Sequence, residues 1–323
     1  MYPDSEYSEY TVLKPEARED FVLTPYLEGI VKRALAYLKG GHPVHFSGPA
    51  GSGKTTLAFF VSSRLERPLV AIYGDEEYRT TDLLGGVNGY RFNKTVDNYI
   101  HSVLSVDESM RKTWVDHRLA LACKNGYTLL YDEFNRSRPE ANNILLSVME
   151  EGLICMPSHY TGGNTYRSVH PDFRAIFTSN PMEYAGIHDT QDALLDRMVT
   201  IGLTYPDKET EVRIAQAKST LPPKDVEAIV RIVRGFRERG MNHRRPTIRA
   251  SITIAKILAQ EGIPVSPERD FLEICSDVLS VSNGSGKCLT AEDMRPYFHI
   301  KGQKFHEKDQ QKRDRSPEVT QTL

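Results

Sequence analysis

Short apolar stretches alternate with segments of helical periodicity through the part of the chain that precedes Pro206. In the helical segments, apolar residues recur every three or four positions. Because buried parallel strands read as nearly continuous apolar runs, the alternation predicts a parallel sheet with helices on both faces. The predicted strands are Val44–Phe46, Leu69–Tyr73, Thr128–Tyr131, Arg174–Thr178 and Val199–Gly202, and the predicted helices are Tyr26–Lys39, Thr55–Leu65, Lys112–Cys123 and Pro139–Glu151.

Beyond Pro206 the pattern is helical alone, which predicts a smaller helical domain after the α/β domain. The predicted helices there are Lys208–Ser219, Pro223–Gly240 and Thr247–Glu261. We therefore expect a polar N-terminal segment at 1–23, an α/β nucleotide-binding domain at 24–205, a helical lid domain at 206–300 and a disordered tail at 301–323. The interleaved charges of the tail leave a basic docking segment as an alternative.

Composition excludes several classes of protein. The formal net charge of -2 gives no sign of the concentrated basic surface typical of a nucleic-acid binder. No apolar run approaches the roughly 20 residues that span a bilayer, and the acidic start does not resemble a signal peptide. The four cysteines lack Cys-x-x-Cys spacing, so we expect reduced, buried thiols. These features predict a cytoplasmic protein that binds neither nucleic acid nor membrane.

A glycine-rich loop between a predicted strand and a predicted helix is the first candidate for chemistry. Its residues are Gly48, Pro49, Ala50, Gly51, Ser52, Gly53, Lys54 and Thr55. Strand, loop and helix stand in the order that a phosphate loop requires, since glycines let backbone N–H groups converge on phosphate oxygens. We expect the loop and the following Thr56 to bind ATP. Lys54 would reach the β and γ phosphates, and the Thr55 hydroxyl would ligate Mg²⁺.

Two later strands end in polar residues suited to hydrolysis. Asp132 and Glu133 follow an apolar strand, as in a Walker B motif, where Asp132 would hold Mg²⁺ through water and Glu133 would orient the attacking water. This pair favours hydrolysis over a site that only binds nucleotide. Asn180 follows the next strand and could contact the γ phosphate and the lytic water, although Asn180-Pro181 alone is simply a turn signal.

The order of these motifs resembles that of the AAA+ ATPases, and within them the MoxR-like branch. The further stretches that carry the resemblance are Asp132-Glu133-Phe134-Asn135-Arg136, Val148-Met149-Glu150-Glu151-Gly152 and Ala193-Leu194-Leu195-Asp196-Arg197. The resemblance implies an α/β AAA+ P-loop domain with a parallel sheet, a C-terminal helical lid domain, and ATP bound between the two.

The same resemblance assigns two arginines. Arg197 would be the arginine finger, acting on the site of a neighbouring subunit, and Arg249 would be the second sensor, on the helical domain. Arg197 could instead pair with Asp192 or Asp196, and Arg249 could lie on a solvated helix face; Arg136 is a competing candidate for contacts between subunits. A finger that acts in trans implies a homo-oligomer, for which a hexameric ring is the expected form, although ring size does not follow from the sequence.

A hairpin is predicted between the helix ending at Glu151 and the strand that leads to Asn180. The stretches Leu153–Met156 and Tyr166–Val169 flank a turn signature at Thr161–Asn164. MoxR-like AAA+ proteins are similar in this layout. The hairpin is either a mobile element that touches a remodelled partner or a loop that closes one edge of the sheet.

A narrower resemblance runs from about Phe21 to Ala259, to the gas vesicle protein N family of AAA+ ATPases. It rests on Phe21–Tyr26, Arg33–Leu38, Gly41–Gly51 and Thr81–Gly86. The resemblance implies ATP-driven delivery, insertion or remodelling of gas vesicle shell proteins, with shell and accessory proteins as partners and association with the vesicle. The alternatives are a general MoxR-like chaperone, a nucleotide-gated structural component and a small-molecule kinase.

Overall fold

The computed structural model describes residues 12–15, 21–100, 103–156, 165–181, 188, 191–239, 245–279 and 291–298. Of residues 87–100, of 103–114 and of part of the last helix, only the backbone is described. The chain divides into two compact units, the first comprising residues 1–218 with 247–249 and the second comprising 219–246 with 250–323. The domain limits expected from the sequence stay a prediction, and the predicted tail at 301–323 lies outside the described residues.

A six-stranded sheet forms the centre of the first unit, in the order β1-β3-β6-β9-β2-β10. All neighbouring strands are parallel except β1, which pairs antiparallel with β3 at the edge. The five strands expected from the sequence are confirmed, while β1 lies in the segment expected to be merely polar. The strands of this sheet are β1 (Val12–Leu13), β2 (Val44–Ser47), β3 (Leu69–Tyr73), β6 (Thr128–Asp132), β9 (Arg174–Ser179) and β10 (Val199–Gly202).

Helices cover both faces of this sheet because successive strand residues point to opposite sides and both sides are apolar. On β6, Leu129 and Tyr131 pack into one buried cluster, and Leu130 packs into the other. The first cluster includes residues of α4 and α6; the second includes residues of α1 and α2. The helices of this unit are α1 (Pro25–Lys39), α2 (Lys54–Ser63), α3 (Thr80–Leu84), α4 (Arg118–Asn125), α5 (Pro139–Asn142), α6 (Ile144–Glu150), α7 (Asp192–Leu195) and α8 (Lys208–Ala217).

The first helix illustrates how local sequence sets these elements. Thr24 caps α1 by accepting a hydrogen bond from the backbone N of Leu27, and Pro25 occupies the first turn, where its missing N–H has no intrahelical partner to lose. The Thr24 hydroxyl also lies 2.8 Å from that of Thr210 on α8. The start of α1 is therefore tied to the last helix of the same unit.

The helix predicted at Lys112–Cys123 is wrong in its first part. Residues up to Asp116 belong to a long antiparallel hairpin made of β4 (Gly85–Ile100) and β5 (Val103–Asp116), and α4 begins only at Arg118. Pairing with β4 gives the backbone of Lys112–Asp116 its hydrogen bonds, which local periodicity does not reveal. The hairpin predicted after Glu151 is confirmed in its strands, β7 (Leu153–Cys155) and β8 (Tyr166–Ser168), while its turn lies outside the described residues.

The described part of the second unit is helical and contains no strand. Its buried cluster includes Ile232, Phe236 and Leu258. Its helices are α9 (Pro223–Arg239), α10 (Ile248–Glu261), whose first residues belong to the first unit, α11 (Arg269–Leu279) and α12 (Ala291–Phe298).

Two findings bear on the expectations drawn from composition. Across the described ranges of both units, no helix is both long enough and apolar enough to cross a membrane. Cys123 and Cys275 are free and buried as expected, whereas Cys155 is free and exposed. Burial raises the pKa of the Cys123 thiol to about 12, so this side chain is an inert part of the core.

Candidate functional site

The phosphate loop connects β2, which lies between β9 and the edge strand β10, to α2. Gly51 and Gly53 have φ angles of 75° and 89°, a left-handed conformation that glycine adopts without steric cost. Gly48 is packed so tightly that a Cβ on it would lie 2.3 Å from the Leu203 carbonyl oxygen. The sequence therefore places glycine where the loop requires positive φ or close backbone approach. Thr56, also expected to bind nucleotide, lies exposed in the first turn of α2.

The Lys54 ammonium group points back into the loop. Its Nζ donates hydrogen bonds to the carbonyl oxygens of Gly48 at 2.8 Å and Pro49 at 2.9 Å, and the side chain is buried. A lysine ammonium has three donors and no acceptor, so these carbonyls hold the charge in place inside the loop. The positive group thus lies beside the backbone N–H groups at the start of α2, which favour anions.

The hydroxyl of Thr55 meets the carboxylate of Asp132 at the end of β6. Thr55 Oγ1 donates to Asp132 Oδ1 at 2.9 Å and lies 3.0 Å from Oδ2. Hydroxyl and carboxylate oxygens are the hard ligands that Mg²⁺ takes in nucleotide sites, usually with waters and phosphate oxygens completing its shell. The two residues predicted to serve the metal are therefore adjacent, and their chemistry fits it.

Glu133 follows Asp132 and adopts an unusual backbone conformation. Its φ of 52° is one of two positive values among the described non-glycine residues. The backbone N of Glu133 donates to Thr178 Oγ1 at 2.9 Å, and its Oε2 lies 2.9 Å from Nε of Arg136. Arg136, the competing candidate for contacts between subunits, is therefore paired with Glu133 of its own chain.

Asn180 lies directly after β9, the strand between β6 and β2. Because these strands are parallel, their carboxyl ends meet at one edge of the sheet, where ligands of open α/β sheets bind. The phosphate loop, Asp132, Glu133 and Asn180 consequently share that edge. Asn180 is buried, and its backbone oxygen accepts a hydrogen bond from Asn135 Nδ2 at 3.4 Å.

Arg197 lies just after α7, and its partner differs from those expected. It forms an ion pair with Glu150 at the end of α6, where Arg197 Nε donates to Oε2 at 2.9 Å. Neither Asp192 nor Asp196 is the partner in this pair. Glu150 belongs to one of the stretches that carry the MoxR-like resemblance, so the structure joins two segments that the sequence left apart.

Arg249 is exposed near the start of α10, and its backbone N donates to Thr247 Oγ1 at 3.2 Å. The short segment Thr247–Arg249 belongs to the first unit. A Cβ on Gly51 would lie 2.4 Å from the Cβ of Thr247, so this segment packs directly against the phosphate loop. The structure thus gives Arg249 a position near the loop through Thr247, without placing its side chain on a ligand.

Several residues at this edge were not found from the sequence. Thr178 on β9 donates a hydrogen bond to Asp132 Oδ1 at 2.5 Å. Gly74, after β3, packs so closely against Glu133 that a Cβ added to it would lie 2.0 Å from the Glu133 carbonyl oxygen. His45 on β2 lies between Ser179 Oγ at 2.8 Å and Thr200 Oγ1 at 3.0 Å, and burial lowers its pKa to about 4. The sequence contained one signal for Thr178: a polar residue on a buried strand, two positions before Asn180.

Comparisons with known proteins agree with this architecture. Residues 43–198 match the family described as AAA domain (dynein-related subfamily). The chain is 46% identical over 278 residues to the gas vesicle ATPase GvpN of Ancylobacter aquaticus, covering 86% of this chain and 78% of that protein. It is 42% identical over 267 residues to the protein of the same name from Haloferax mediterranei, covering 81% of this chain and 74% of that protein.

A solved structure supports the fold alone. A Thermotoga maritima RuvB mutant aligns with a TM-score of 0.51 at 17% identity, covering 84% of this chain and 75% of that chain. At this identity the likeness concerns the arrangement of elements and carries nothing about ligands or substrates. The mostly parallel sheet and the helical C-terminal region are those expected from the AAA+ resemblance.

Proposed function

Because this chain belongs to the gas vesicle ATPase GvpN family, an AAA+ family of ATP hydrolases, we propose that it hydrolyses ATP to drive gas vesicle assembly. The observation that carries the hydrolytic part is the contact of Thr55 Oγ1 with Asp132 Oδ1 at 2.9 Å, beside the phosphate loop. The gas vesicle part is supported by the match to relatives of that name over 86% of the chain.

Each loop residue has a role in holding ATP and Mg²⁺. The backbone from Gly48 to Gly53 and the N-terminus of α2, including Thr56, receive the phosphates. Thr55 and Asp132 hold Mg²⁺, which neutralises charge on the β and γ phosphates when bound. Lys54 exchanges the carbonyl oxygens of Gly48 and Pro49 for phosphate oxygens, because a negatively charged acceptor binds an ammonium more strongly.

Glu133 and Asn180 act on the water that attacks the γ phosphate. Glu133 orients this water and accepts its proton, which requires the carboxylate to release Arg136. Asn180, at the same sheet edge, contacts the water and the γ phosphate through its side-chain amide. Positioning of this kind is the main contribution of the protein, since phosphoryl transfer needs little covalent participation.

The active form is a homo-oligomer, with a hexameric ring as the expected arrangement. Arg197 serves as the finger that enters the site of the neighbouring subunit, and Arg249 acts as the second sensor within its own chain. A finger in trans makes turnover depend on assembly, because an isolated chain lacks the neighbouring subunit's Arg197 to stabilise the developing charge. Activity per chain is therefore expected to fall on dilution.

The partners are gas vesicle shell and accessory proteins, and the site of action is the cytoplasm and the surface of the growing vesicle. Shell proteins with exposed apolar surface and strand edges aggregate when left uncovered, so their delivery or insertion is a step that ATP can drive. The near-neutral net charge of -2 supports no role on nucleic acid. The proposal includes no binding to membranes.

The test uses cells that carry a gas vesicle gene cluster from which this gene is deleted. Wild type, Lys54→Ala and Glu133→Gln are expressed at equal levels, and turbidity that collapses under pressure is recorded. Lys32→Ala and Glu28→Gln, exposed residues of α1, are the matched controls for loss of a lysine and of a carboxylate. We expect wild type and both controls to restore the signal and the two site variants to fail.

Other outcomes separate the remaining functions. Restoration by every variant makes the protein a scaffold that needs no hydrolysis. If neither wild type nor any variant restores the turbidity in a compatible cluster, while the wild-type protein hydrolyses ATP in vitro, a general MoxR-like chaperone is favoured. Loss of ATPase activity in purified Lys54→Ala and Glu133→Gln protein is measured in parallel, so that the catalytic and the vesicle parts are tested separately.

A further inference from the structure

The hydroxyl of Thr178 connects the two acidic residues of the site. Thr178 lies on β9 and is fully buried. Its Oγ1 donates to Asp132 Oδ1 at 2.5 Å and accepts from the backbone N of Glu133 at 2.9 Å. A hydroxyl has one proton, and the Glu133 N–H is itself a donor, so the Thr178 proton must go to the carboxylate. The direction of both hydrogen bonds follows from this chemistry.

Glu133 needs such support because its backbone is strained. A φ of 52° places a non-glycine residue in the left-handed region, which persists only where surrounding contacts hold it. The Glu133 carbonyl oxygen accepts from the Arg136 backbone N at 2.9 Å, and its N–H is held by Thr178. The conformation of Glu133 decides where its carboxylate points, so the Thr178 contact bears on the placement of the general base.

Burial alone does not explain the two bonds of Thr178. Thr128, at the start of β6 in the same sheet, is equally buried, yet its hydroxyl has no hydrogen-bond partner within the described structure. A buried threonine in this sheet is therefore tolerated without a bonded hydroxyl. The hydroxyl of Thr178 is distinguished by where it lies, between a metal-binding carboxylate and the backbone of the residue that orients water.

We propose that Thr178 is a positioning residue. Its hydroxyl fixes the distance and orientation between Asp132, the Mg²⁺ ligand, and Glu133, the general base. The proposal rests on the hydrolytic function proposed above. Thr55 also donates to Asp132, so this carboxylate is held from α2 on one side and from β9 on the other. Loss of the Thr178 hydroxyl leaves Asp132 Oδ1 with the Thr55 hydrogen bond alone and removes the acceptor of the Glu133 N–H, while the phosphate loop stays intact.

The test compares Thr178→Val, Thr178→Ser and Thr128→Val in the full chain. Valine has the shape of threonine without its hydroxyl, serine restores the hydroxyl, and Thr128→Val reports the cost of the same substitution where no bond is lost. Three quantities are measured: kcat, KM for ATP, and the affinity for a fluorescent ADP analogue with Mg²⁺ or with EDTA. The affinity in EDTA measures how well the phosphate loop binds the nucleotide. The increase in affinity on adding Mg²⁺ measures the contribution of Asp132 as a metal ligand.

We expect Thr178→Val to lower kcat by about 10- to 100-fold, as for a lost hydrogen bond to a charged group, and to raise KM for ATP only by the factor by which the Mg²⁺-dependent affinity falls. Its gain in affinity on adding Mg²⁺ should shrink, while binding in EDTA stays at the wild-type level. Thr178→Ser should return most of the activity, and Thr128→Val should resemble wild type. Should Thr178→Val fail to fold, Thr178→Ala carries the same expectation without a new contact.

Two results would overturn the proposal while leaving the hydrolytic function in place. The first is a Thr178→Val protein whose kcat and Mg²⁺ gain match those of Thr128→Val. The second is a Thr178→Ser protein as defective as the valine variant, which would assign the effect to packing. A wild-type protein without ATPase activity overturns the proposed function itself, and the role of Thr178 falls with it.

Discussion

Arg197, which follows α7, forms an ion pair with Glu150, the last residue of α6. The Nε atom of Arg197 lies 2.9 Å from Oε2 of Glu150. Arg197 also donates to the carbonyl oxygen of Ala193. These contacts hold the guanidinium in one orientation on the surface of the first unit. For the finger role proposed for Arg197, this fixed orientation reduces the side-chain entropy lost on meeting a phosphate.

The first prediction concerns removal of this finger. Arg197→Ala should lower kcat for ATP by about 10³-fold or more, the range for an arginine that neutralises charge in phosphoryl transfer. Nucleotide affinity should change little, since the phosphate loop belongs to the same chain. The measurement is steady-state ATPase activity with binding of a fluorescent nucleotide. Arg269→Ala, which removes an exposed arginine paired with Glu273, is the matched control and should retain wild-type turnover.

A mixing experiment decides whether Arg197 acts in trans. Arg197→Ala retains a complete phosphate loop, and Lys54→Ala retains the finger, so mixed oligomers contain some sites with both. Activity of the mixture above the sum of the two separate proteins is the expected result. A mixture no more active than its components would show that Arg197 serves its own chain, and Arg136 would become the candidate to examine.

The second prediction follows from the close approach of Gly51 and Thr247. Gly51→Ala should weaken nucleotide binding, because the added Cβ would lie 2.4 Å from the Thr247 Cβ and the loop must shift. Gly41 also has a positive φ, of 85°, but its Cβ would have no atom within 4 Å. Gly41→Ala therefore reports the backbone cost alone, about 1 kcal/mol of stability. Titration with a fluorescent ADP analogue should separate the two variants.

Relief of the contact provides the control for that prediction. In the double variant Gly51→Ala with Thr247→Gly, the side chain that meets the new Cβ is absent. Nucleotide affinity should recover in part, leaving the cost of the positive φ. If the double variant binds nucleotide no better than Gly51→Ala, the loss of affinity comes entirely from the loop backbone, and the contact with Thr247 does not contribute to it.

The third prediction separates binding from turnover. Gly74→Ala places a Cβ 2.0 Å from the carbonyl oxygen of Glu133, the proposed general base, so the backbone of Glu133 must move. We expect kcat to fall by about tenfold or more with nucleotide affinity retained, because the phosphate loop is not touched. Gly202→Ala at the end of β10, where a Cβ meets nothing within 4 Å, should behave as wild type. Equal loss of affinity and turnover would contradict the prediction.

The sheet and its phosphate loop were predictable because their signals are local. Buried parallel strands such as Val44–Ser47 and Thr128–Asp132 are continuous apolar runs, and the glycines at Gly51 and Gly53 answer a local need for positive φ. The end of β5, Lys112–Asp116, was wrongly predicted as helix, since its pairing with β4 is a contact between separate segments.

The misses at the site have the same cause. The partner of Arg197 is Glu150, 47 positions earlier, whereas the sequence pointed to the neighbouring Asp192 and Asp196. Thr178 is an ordinary strand residue until the parallel register brings β9 beside β6 and its hydroxyl to Asp132. Side-chain types at strand ends thus predict the location of a site, whereas the hydrogen bonds that organise it depend on register and packing.

The last prediction concerns His45, which lies on β2, the strand that precedes the phosphate loop, between the hydroxyls of Ser179 and Thr200. Burial lowers its pKa from 6.5 to about 4, so the native chain keeps this imidazole neutral where the unfolded chain binds a proton. Native stability is therefore full above pH 6.5 and falls as the pH drops towards 4. The shift corresponds to about 3 kcal/mol of unfolding free energy.

The measurement that isolates this contribution is urea unfolding of wild type and His45→Asn between pH 7.5 and pH 4. Asparagine cannot take up a proton, so the stability advantage of wild type over the variant should shrink by about 3 kcal/mol across that range. His42→Asn, which replaces an exposed histidine, should run parallel to wild type. Parallel curves for His45→Asn and wild type would mean that the imidazole gains a proton without cost in the folded sheet, against the burial between β9 and β10 that the structure gives it.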